Sequence, residues 1–409
     1  LALTALVPAN MFRPMHTEKG SEATAHARAA RWLAERGPAI LSEQIELART
    51  PAPPFRERSR AELIAAKLRT LGLTPRFDGE GNLLARIESP EARAAPEPII
   101  VAAHVDTVFG PDITIEIRQD GARWTGPGIT DNARGLAVSL GVLRALLHGE
   151  VRSQRPIIFA FTVGEEGPGD LRGVKHMFRA GSPLRHAAGF IAVDGSGRRR
   201  IIHRALGSRR FRITVRGPGG HSWNDWGRSN PANAIGELIH RLCFLDLPES
   251  PRTTLTAARL GGGISINAIP GEAWVELDLR SEADEALQST EHRMRGELHA
   301  SVVAEETRNR DPLTPIVQLI GHRPAGHLPS DHPLVAAAVA ATRTLGEEPE
   351  FAVSSTDANV PLALGIPAIA IGGGGKSGLT HTSNEWFEDS DGATGALRLL
   401  AILAASAGF

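Results

Sequence analysis

Residues 157–166 read IIFAFTVGEE, an apolar run that stops at one glycine and two glutamates. Three other short runs have the same form: IIVAA at 99–103, FIAV at 190–193 and AIAI at 368–371. Near-continuous apolar runs of this length are typical of strands that are buried on both faces of a parallel sheet. The sequence therefore predicts four buried strands.

Helices are predicted before and between these strands. Residues 21–49 are rich in Ala, Leu, Glu and Arg, and a further helix is predicted to begin at a capping box at Ser59 and to end at Gly72. Alternation of strands with helices predicts an α/β domain with a mainly parallel sheet. An amphipathic helix is predicted from leucines at helical spacing, namely Leu136, Leu140, Leu143 and Leu147.

The stretch at 207–325 has a different pattern. FRITV at 211–215 alternates apolar and polar residues, and Asn230 with Pro231 is a typical helix start. The predicted order β-α-β-β-α-β is the signature of a ferredoxin-like unit. Because AIAI follows this stretch and resembles the earlier buried strands, we expect a discontinuous α/β domain that an α+β domain interrupts.

Composition excludes several classes of protein. The chain has 409 residues and a net charge of −1, so a strong electrostatic field for nucleic acid or an anionic membrane is absent. Cys243 alone cannot form an internal disulfide, and no run approaches the ~18 apolar residues of a membrane span. The opening LALTALVPAN lacks a basic leader and is not predicted to be a signal peptide. We expect a cytoplasmic protein without nucleic-acid or membrane partners.

Carboxylates and histidines follow the predicted strands. In open α/β sheets, sites form outside the carboxyl ends of the strands. If the strands are parallel, the polar groups that follow them converge on one edge of the sheet. These groups are His104 and Asp106 after the first run, Glu165 and Glu166 after the second, Asp194 after the third, His381 beyond the fourth, and Asp131 before the amphipathic helix.

Such a concentration of carboxylates needs compensating positive charge, because adjacent carboxylates repel one another. Mixed histidine and carboxylate ligands suit zinc, with manganese or cobalt as alternatives. Five candidate ligands exceed the usual three of one catalytic zinc, so two metals that share a bridging carboxylate fit better.

Each residue also has an ordinary structural interpretation. Asp131 taken alone is equally consistent with a helix cap, and Asp194 is compatible with a turn residue before Gly195. Adjacent glutamates are usually a solvated charge run, but Glu165-Glu166 follow seven mostly apolar residues and precede Gly-Pro-Gly, which disfavours a solvated helix face. GGGGKS at 372–377 nearly reads as a phosphate-binding loop, but Ala370 stands where that motif needs its first glycine. The absence of Gly-x-Ser-x-Gly and His-Glu-x-x-His motifs argues against a serine hydrolase and a thermolysin-type protease.

Several motifs resemble one enzyme family. The chain is similar over roughly residues 40–405 to the co-catalytic zinc peptidases that include peptidase T, carboxypeptidase G, aminoacylase and succinyl-diaminopimelate desuccinylase. The motifs that carry the resemblance are AAHVDTV, GPGITDNARGLA, GEEG, AVDGSG, RGPGGHSW, GGGISINAIPGEAWVELDLRS and THTSNEWFE.

The resemblance implies a two-part architecture and a set of metal ligands. It implies a mainly parallel-sheet zinc-peptidase catalytic domain of residues 1–206 and 326–409, with an inserted ferredoxin-like lid or dimerisation domain at 207–325. It assigns one metal to His104 and Asp194, the other to Glu166 and His381, and the bridging position to Asp131.

The resemblance also implies roles in catalysis. Glu165 corresponds to the general base, which takes a proton from a metal-bridging water and passes it to the leaving amine. Asp106 orients His104, and His221 stabilises the oxyanion. Asn267 and Arg280 match positions that contact the substrate carboxylate or backbone.

The expected activity is hydrolysis of small peptides by a metallopeptidase with two divalent ions. The closest alternative is a deacylase of N-acyl amino acids with the same metal site, and a non-catalytic binding protein on the same fold is a more distant one. The resemblance also implies a homodimer through the inserted domain, with His221 acting in the partner's site.

Overall fold

A computed structural model describes residues 20–90, 92 and 97–409. The stretch LALTALVPAN lies outside the described residues. The chain divides into two compact units. One unit contains the chain up to His203 together with His327–Phe409, and the other is Arg204–Gly326, which includes the residues 207–325 predicted as an inserted domain.

In the residues that the structure describes, the chain up to Ala205 contains five α-helices and eight strands. The helices are α1 (Gly20–Ala34), α2 (Gly37–Ala48), α3 (Arg58–Thr70), α4 (Ala133–His148) and α5 (Arg172–Met177). The strands are β1 (Arg76–Phe77), β2 (Leu83–Ile87), β3 (Ile99–His104), β4 (Arg118–Asp120), β5 (Arg123–Thr125), β6 (Ile157–Thr162), β7 (Gly189–Val193) and β8 (Arg200–Ala205).

The predicted helical stretch at 21–49 forms two helices rather than one. The helix is interrupted before Gly37. Pro38 lies in the first turn of α2, where its missing N–H breaks no helical hydrogen bond. A side chain at position 37 would meet the backbone of Gly392, because an added Cβ would lie 2.9 Å from its Cα. The break therefore lets α2 approach a neighbouring turn closely.

Helix α3 begins at Arg58, one residue before the predicted capping box. The N-cap position is Glu57, so the prediction that Ser59 caps this helix is wrong. The Glu57 carboxylate accepts the N–H of Phe55 and an Arg172 guanidinium hydrogen bond instead. At the other end, Gly72 has a φ of +78°, the left-handed conformation that commonly follows a helix.

Helix α4 is buried on nearly every side, so its amphipathic character is weaker than the leucine spacing predicts. It packs against β3 and also against α1 and α2, which cover the face that the spacing left for solvent. Its N-cap is Asn132, whose side chain accepts the N–H of Gly135.

In the inserted unit, the described elements are four long strands, two helices and a short ladder of two two-residue strands. These are β9 (Gly207–Arg216), β10 (Gly220–His221), α6 (Pro231–Leu242), β11 (Thr253–Gly262), β12 (Ala268–Ile269), β13 (Glu272–Ser281), α7 (Asp284–Arg308) and β14 (Thr314–Arg323). The four long strands are antiparallel in the order β11-β13-β9-β14, which is the ferredoxin-like arrangement that the sequence pattern predicts.

The core of this unit follows from the alternation of its strands. Apolar residues of β9 and β13, such as Phe211, Ile213 and Val275, are buried on one face. Leu238 of α6 and Leu298 of α7 belong to the same core. Asn230 accepts the N–H of Ala232 and caps α6, as its position before a proline predicts.

The last part of the chain completes the first unit. It supplies β15 (Gly326–His327), α8 (Pro333–Thr344), β16 (Glu350–Ser354), α9 (Asn359–Ala363), β17 (Ala368–Ile371), β18 (Lys376–Gly378), β19 (Trp386–Glu388) and α10 (Thr394–Leu403).

The main sheet has the order β1-β2-β6-β3-β7-β17-β8-β15, with β16 beside β8. The strands β6, β3, β7 and β17 are mutually parallel, and antiparallel strands flank them. These four are the strands that the buried apolar runs predict, so the α/β class and the mainly parallel sheet are confirmed. A smaller antiparallel sheet has the order β18-β19-β5-β4. None of the helices in the described ranges combines the length and the apolarity that crossing a bilayer requires.

Candidate metal centre

The carboxyl ends of the parallel strands bring predicted ligands together. His104 ends β3, Glu166 follows β6, and Asp131 precedes α4. One ligand atom from each of these three residues lies within 4.8 Å of the others. Because β6, β3 and β7 are adjacent and parallel, residues after each strand meet at one edge of the sheet. This group is a candidate metal site.

The two carboxylate oxygens of Asp131 face different imidazoles. Oδ1 lies 3.0 Å from Nε2 of His104, and Oδ2 lies 3.1 Å from Nε2 of His381. The same His381 nitrogen is 3.2 Å from Oε1 of Glu166, and the His104 nitrogen is 3.7 Å from Oδ1 of Asp194. The five residues therefore form two groups, one on each side of the Asp131 carboxylate.

The electrostatics of this cluster favour a bound cation. Burial by itself lowers the pKa of His104, but the carboxylates of Asp106, Asp131 and Asp194 together raise it well above its usual value. Hydrogen bonds to Asp131 and Glu166 raise the pKa of His381 to about 10. The imidazoles thus hold protons that neutralise the carboxylates, and a divalent metal ion supplies the same positive charge.

One oxygen of the shared carboxylate is buried without an aligned hydrogen-bond donor. Oδ1 of Asp131 is buried, and although Nε2 of His104 lies 3.0 Å away, no described residue makes a well-aligned hydrogen bond to it. Burying a charged oxygen without a hydrogen bond is costly, and a metal ion removes that cost. Burial raises the pKa of the neighbouring Glu166, which is consistent with a carboxylate crowded by other carboxylates. The donor set therefore fits divalent metal.

Asp106 connects the β3 and β6 ends. Its Oδ1 and Oδ2 accept the backbone N–H groups of Glu165 and Glu166, at 3.0 and 2.8 Å. The closest partner of His104 Nδ1 is the main-chain oxygen of Asp106 at 3.1 Å, while the Asp106 carboxylate is 3.7 Å away. Asp106 therefore contacts the imidazole mainly through its backbone, and its carboxylate fixes the loop that carries buried Glu165 and Glu166.

Glu385 is a buried carboxylate to which the sequence analysis assigned no role. Its Oε1 accepts the backbone N–H groups of Thr130 and Asp131, at 2.7 and 2.9 Å. Burial raises the pKa of Glu385 to about 7. The available signal was its place four residues after His381 within the motif THTSNEWFE. Glu385 joins the loop of His381 to the loop of Asp131.

Asp357 is a second buried carboxylate that the sequence analysis missed. Its Oδ2 accepts a hydrogen bond of 2.5 Å from the hydroxyl of Thr162, the residue that pairs with His104 between β3 and β6. Burial raises the pKa of Asp357 to about 6, although the charge of His104 opposes this shift. No continuous apolar run directly precedes Asp357, so the pattern that identified the buried strands did not mark this residue.

The residue after Asp131 is structural. Asn132 accepts the N–H groups of Gly135 and Gly195 and donates to the carbonyl of Val193. It therefore caps α4 and connects that helix to the end of β7. The alternative interpretation of Asp131 as the helix cap is wrong, because Asn132 occupies the cap and leaves Asp131 free for the cluster.

The glycines at 372–375 pack closely against the backbone and side chains of the protein itself. A Cβ at Gly372 would lie 2.0 Å from the carbonyl oxygen of Ser196. Gly373 accepts a hydrogen bond from buried Arg134, and the N–H of Gly375 donates to Asp391. The small size of these residues thus serves internal packing. This is consistent with the prediction that GGGGKS is not a phosphate-binding loop.

In the inserted unit, His221 and Asn267 lie side by side. His221 pairs with Ala268 in the β10–β12 ladder, and the N–H of Ser222 donates to the carbonyl of Asn267. Asn267 precedes the first residue of β13, Glu272, whereas Arg280 lies near the last residue of this strand and donates to Asp278. The eight steps from Glu272 to Arg280 correspond to about 26 Å at ~3.3 Å per residue.

A buried parallel sheet whose strand ends carry imidazoles around a shared carboxylate defines a candidate metallohydrolase. The chain belongs to peptidase family M20/M25/M40, whose model matches residues 100–405. The family resemblance seen in the sequence motifs is thereby confirmed.

Individual relatives are more distant. The chain is 26% identical over 220 residues to a probable carboxypeptidase of Uncinocarpus reesii, a match that covers 47% of this chain and 47% of that protein. The chain thus spans about half the length of the curated relatives it matches.

Solved structures show the same fold over most of the chain. Aminopeptidase PepT of Bacillus cereus is 22% identical with a TM-score of 0.73, and the match covers 91% of this chain and 99% of that chain. A dinuclear metal-binding peptidase of the M20 family from Bacillus subtilis is 16% identical with a TM-score of 0.65, over 91% of this chain and 99% of that chain.

Proposed function

We propose that this protein is a metal-dependent peptidase that cleaves peptide bonds in small peptides. The observation that carries the proposal is the Asp131 carboxylate, whose two oxygens face His104 and His381 separately. A carboxylate placed in this way suits the bridging position between two metal ions. Membership of the M20 family supports the same chemistry.

The ligand assignment follows the two groups of the cluster. His104 and Asp194 would hold one ion, Glu166 and His381 the other, and Asp131 both. Zinc fits this mixture of imidazole and carboxylate best, with cobalt or manganese as alternatives. When bound, such ions polarise a carbonyl oxygen and lower the pKa of water toward ~7.

The proposed catalytic residues act on the proton and on the carbonyl oxygen. Glu165 takes a proton from the attacking water and passes it to the leaving amine. Asp106 supports this step because its carboxylate holds the backbone of Glu165. His221 donates a hydrogen bond to the oxygen that becomes negative, and Asn267 and Arg280 bind the substrate backbone or carboxylate.

We further propose a homodimer that forms through the inserted unit. Within that unit, His221 and Asn267 lie beyond one end of β13 and Arg280 lies about 26 Å along the strand from that end. A tripeptide spans at most ~11 Å when fully extended. One small substrate therefore cannot contact all three residues of one copy, which supports a contribution of His221 and Asn267 from a partner. A cytoplasmic location stays a prediction.

The test is hydrolysis of unblocked di- and tripeptides beside N-acyl amino acids, with zinc, cobalt or manganese added to the metal-free protein. We expect peptide cleavage that a chelator abolishes and added metal restores. Peptides with a blocked amino or a blocked carboxyl end would show which end is read. Cleavage of the N-acyl compounds alone would assign the protein to the deacylases, and activity that resists complete metal removal would contradict the proposal.

A further inference from the structure

A five-residue turn holds His221 by hydrogen bonds at both ends. The N–H of His221 donates to Oδ2 of Asp225 at 2.7 Å, and the N–H of Asp225 donates to the carbonyl of His221 at 2.9 Å. The two residues thus bond to each other reciprocally. His221 is exposed, so its backbone is held not by burial but by these hydrogen bonds together with the β10–β12 ladder.

The same turn also determines the direction of the imidazole. Nδ1 of His221 accepts the backbone N–H groups of Trp223 and Asn224, at 3.1 and 3.4 Å. A ring nitrogen that accepts hydrogen bonds carries no proton, so the neutral ring has its proton on Nε2. His221 therefore presents an Nε2–H donor away from the turn.

The approach of Asp225 depends on the residue before His221. Gly220 has a φ of +158°, and an added Cβ would lie 2.7 Å from the Asp225 Cβ. Arg228 supports the other side, because it donates to the carbonyl of Gly219 and its Nε lies 3.6 Å from Oδ1 of Asp225. Glycine at position 220 is thus required for the Asp225 carboxylate to reach the His221 N–H.

We infer that Asp225 is a positioning residue that keeps the His221 ring oriented with Nδ1 as an acceptor and Nε2–H as the hydrogen-bond donor. This inference rests on the proposed function for the catalytic value of that donor. The physical reason is preorganisation, since a donor that is already aimed costs no reorganisation when negative charge develops. A proton fixed on Nε2 also excludes His221 as a base at that nitrogen.

The test combines kinetics with nitrogen-15 NMR of the full-length protein. Asp225→Ala removes the acceptor, Asp225→Asn retains a carbonyl acceptor, and Asp246→Ala removes an exposed aspartate of the same unit as the matched control. A His221→Gln variant identifies the ring signals of His221 by their loss. Metal content and melting temperature are measured for each variant.

We expect Asp225→Ala to lower kcat about tenfold or more with little change in KM, because small misplacements of catalytic groups are costly. Its His221 ring should populate both neutral tautomers, whereas the wild type shows one. Asp225→Asn should restore most of the rate and the single tautomer, and the Asp246→Ala control should match the wild type.

Wild-type kcat together with an unchanged tautomer in Asp225→Ala would overturn the inference. If Asp225→Ala does not fold, the inference stands or falls on Asp225→Asn: a single Nε2–H tautomer there supports it and a mixture refutes it. The NMR result does not require activity. A wild type that cleaves no peptide but shows the single tautomer would therefore count against the proposed function and leave the positioning role supported.

Discussion

The metal-ligand cluster and the His221 turn both present an imidazole Nε2, but the protein holds the two in opposite ways. In the cluster, Asp131 and His381 are 250 positions apart, and the ends of parallel strands bring the site together. In the turn, every hydrogen bond to His221 from its own loop comes from residues within four positions. The first arrangement depends on the whole sheet and the second on local chain geometry.

This difference has a practical meaning. The cluster is crowded with carboxylates whose charges shift the pKa values of its histidines, so changes there should alter metal binding. The turn contains backbone donors and one aspartate, so changes there should alter rate alone. Five predictions test whether the two regions are separable.

The largest effect is expected for Glu165→Gln. Loss of a general base lowers rates by ~10²- to 10⁴-fold, and Glu165 lies beside the ligands without belonging to either ligand group. Turnover should fall by that amount while metal content, measured by elemental analysis, stays constant. Glu35→Gln, at an exposed glutamate in the turn after α1, is the control. Normal turnover in Glu165→Gln would refute the assignment of the base.

His221→Ala should lower kcat by ~10²- to 10³-fold, the usual cost of removing an oxyanion donor. Metal content should not change, because the turn contributes no ligand in this account. His292→Ala, at an exposed histidine of α7, is the control. If His221→Ala loses metal, His221 is itself a ligand and the separation of the two regions fails.

Glu385→Gln should weaken metal binding by ~10- to 100-fold, the typical cost of disturbing a group that supports a ligand. The Glu385 carboxylate accepts the N–H of Asp131 itself and so fixes the shared ligand. Chelator competition would measure the change. Glu388→Gln, three residues on at the end of β19, is the control. Equal affinities in wild type and Glu385→Gln would show that this contact is dispensable.

The smallest effect is expected for the gradual dependence of metal affinity on pH. Carboxylates raise the pKa of metal-free His381 from 6.5 to about 10, so bound metal must displace a proton across that range. Apparent metal affinity should therefore increase as pH rises from about 6.5 towards about 10. A dissociation constant that does not change with pH over this window would contradict the raised pKa.

The raised pKa of His381 has the opposite effect on the stability of the metal-free protein, which should decrease as pH rises. A raised folded-state pKa stabilises the protein fully below the unfolded value, and this contribution is lost as pH rises through about 10. The melting temperature of the metal-free protein should fall over that window in wild type more than in His381→Gln. His381 is 52% exposed, so the difference should be modest.

Sequence patterns predicted the parts of this protein that depend on local periodicity. Buried runs identified β3, β6, β7 and β17, and the residues that follow them meet because parallel strands end at one edge. The order of elements predicted the ferredoxin-like sheet of the inserted unit. In both cases the pattern of side chains along a strand reports which face is covered.

The features that were missed depend on distant partners. Glu385 and Asp357 bond to residues 255 and 195 positions away, and no local pattern reveals such contacts. The Ser59 capping box failed because Arg172, from another part of the chain, engages Glu57 at the true start of α3. The leucine spacing of α4 predicted a solvent-exposed face. Helices α1 and α2 pack against α4, and the spacing within α4 cannot reveal such contacts.

The position of β17 between β7 and β8 has a consequence for the order in which the molecule is made. Among the described residues, strand β8 joins the parallel core only through β17, which follows the inserted unit in the sequence. During synthesis, the whole of Arg204–Gly326 leaves the ribosome before the strand that closes this gap. His381 and Glu385 emerge later still. The nascent chain therefore contains its whole inserted unit while its metal cluster still lacks one imidazole and the carboxylate that holds Asp131.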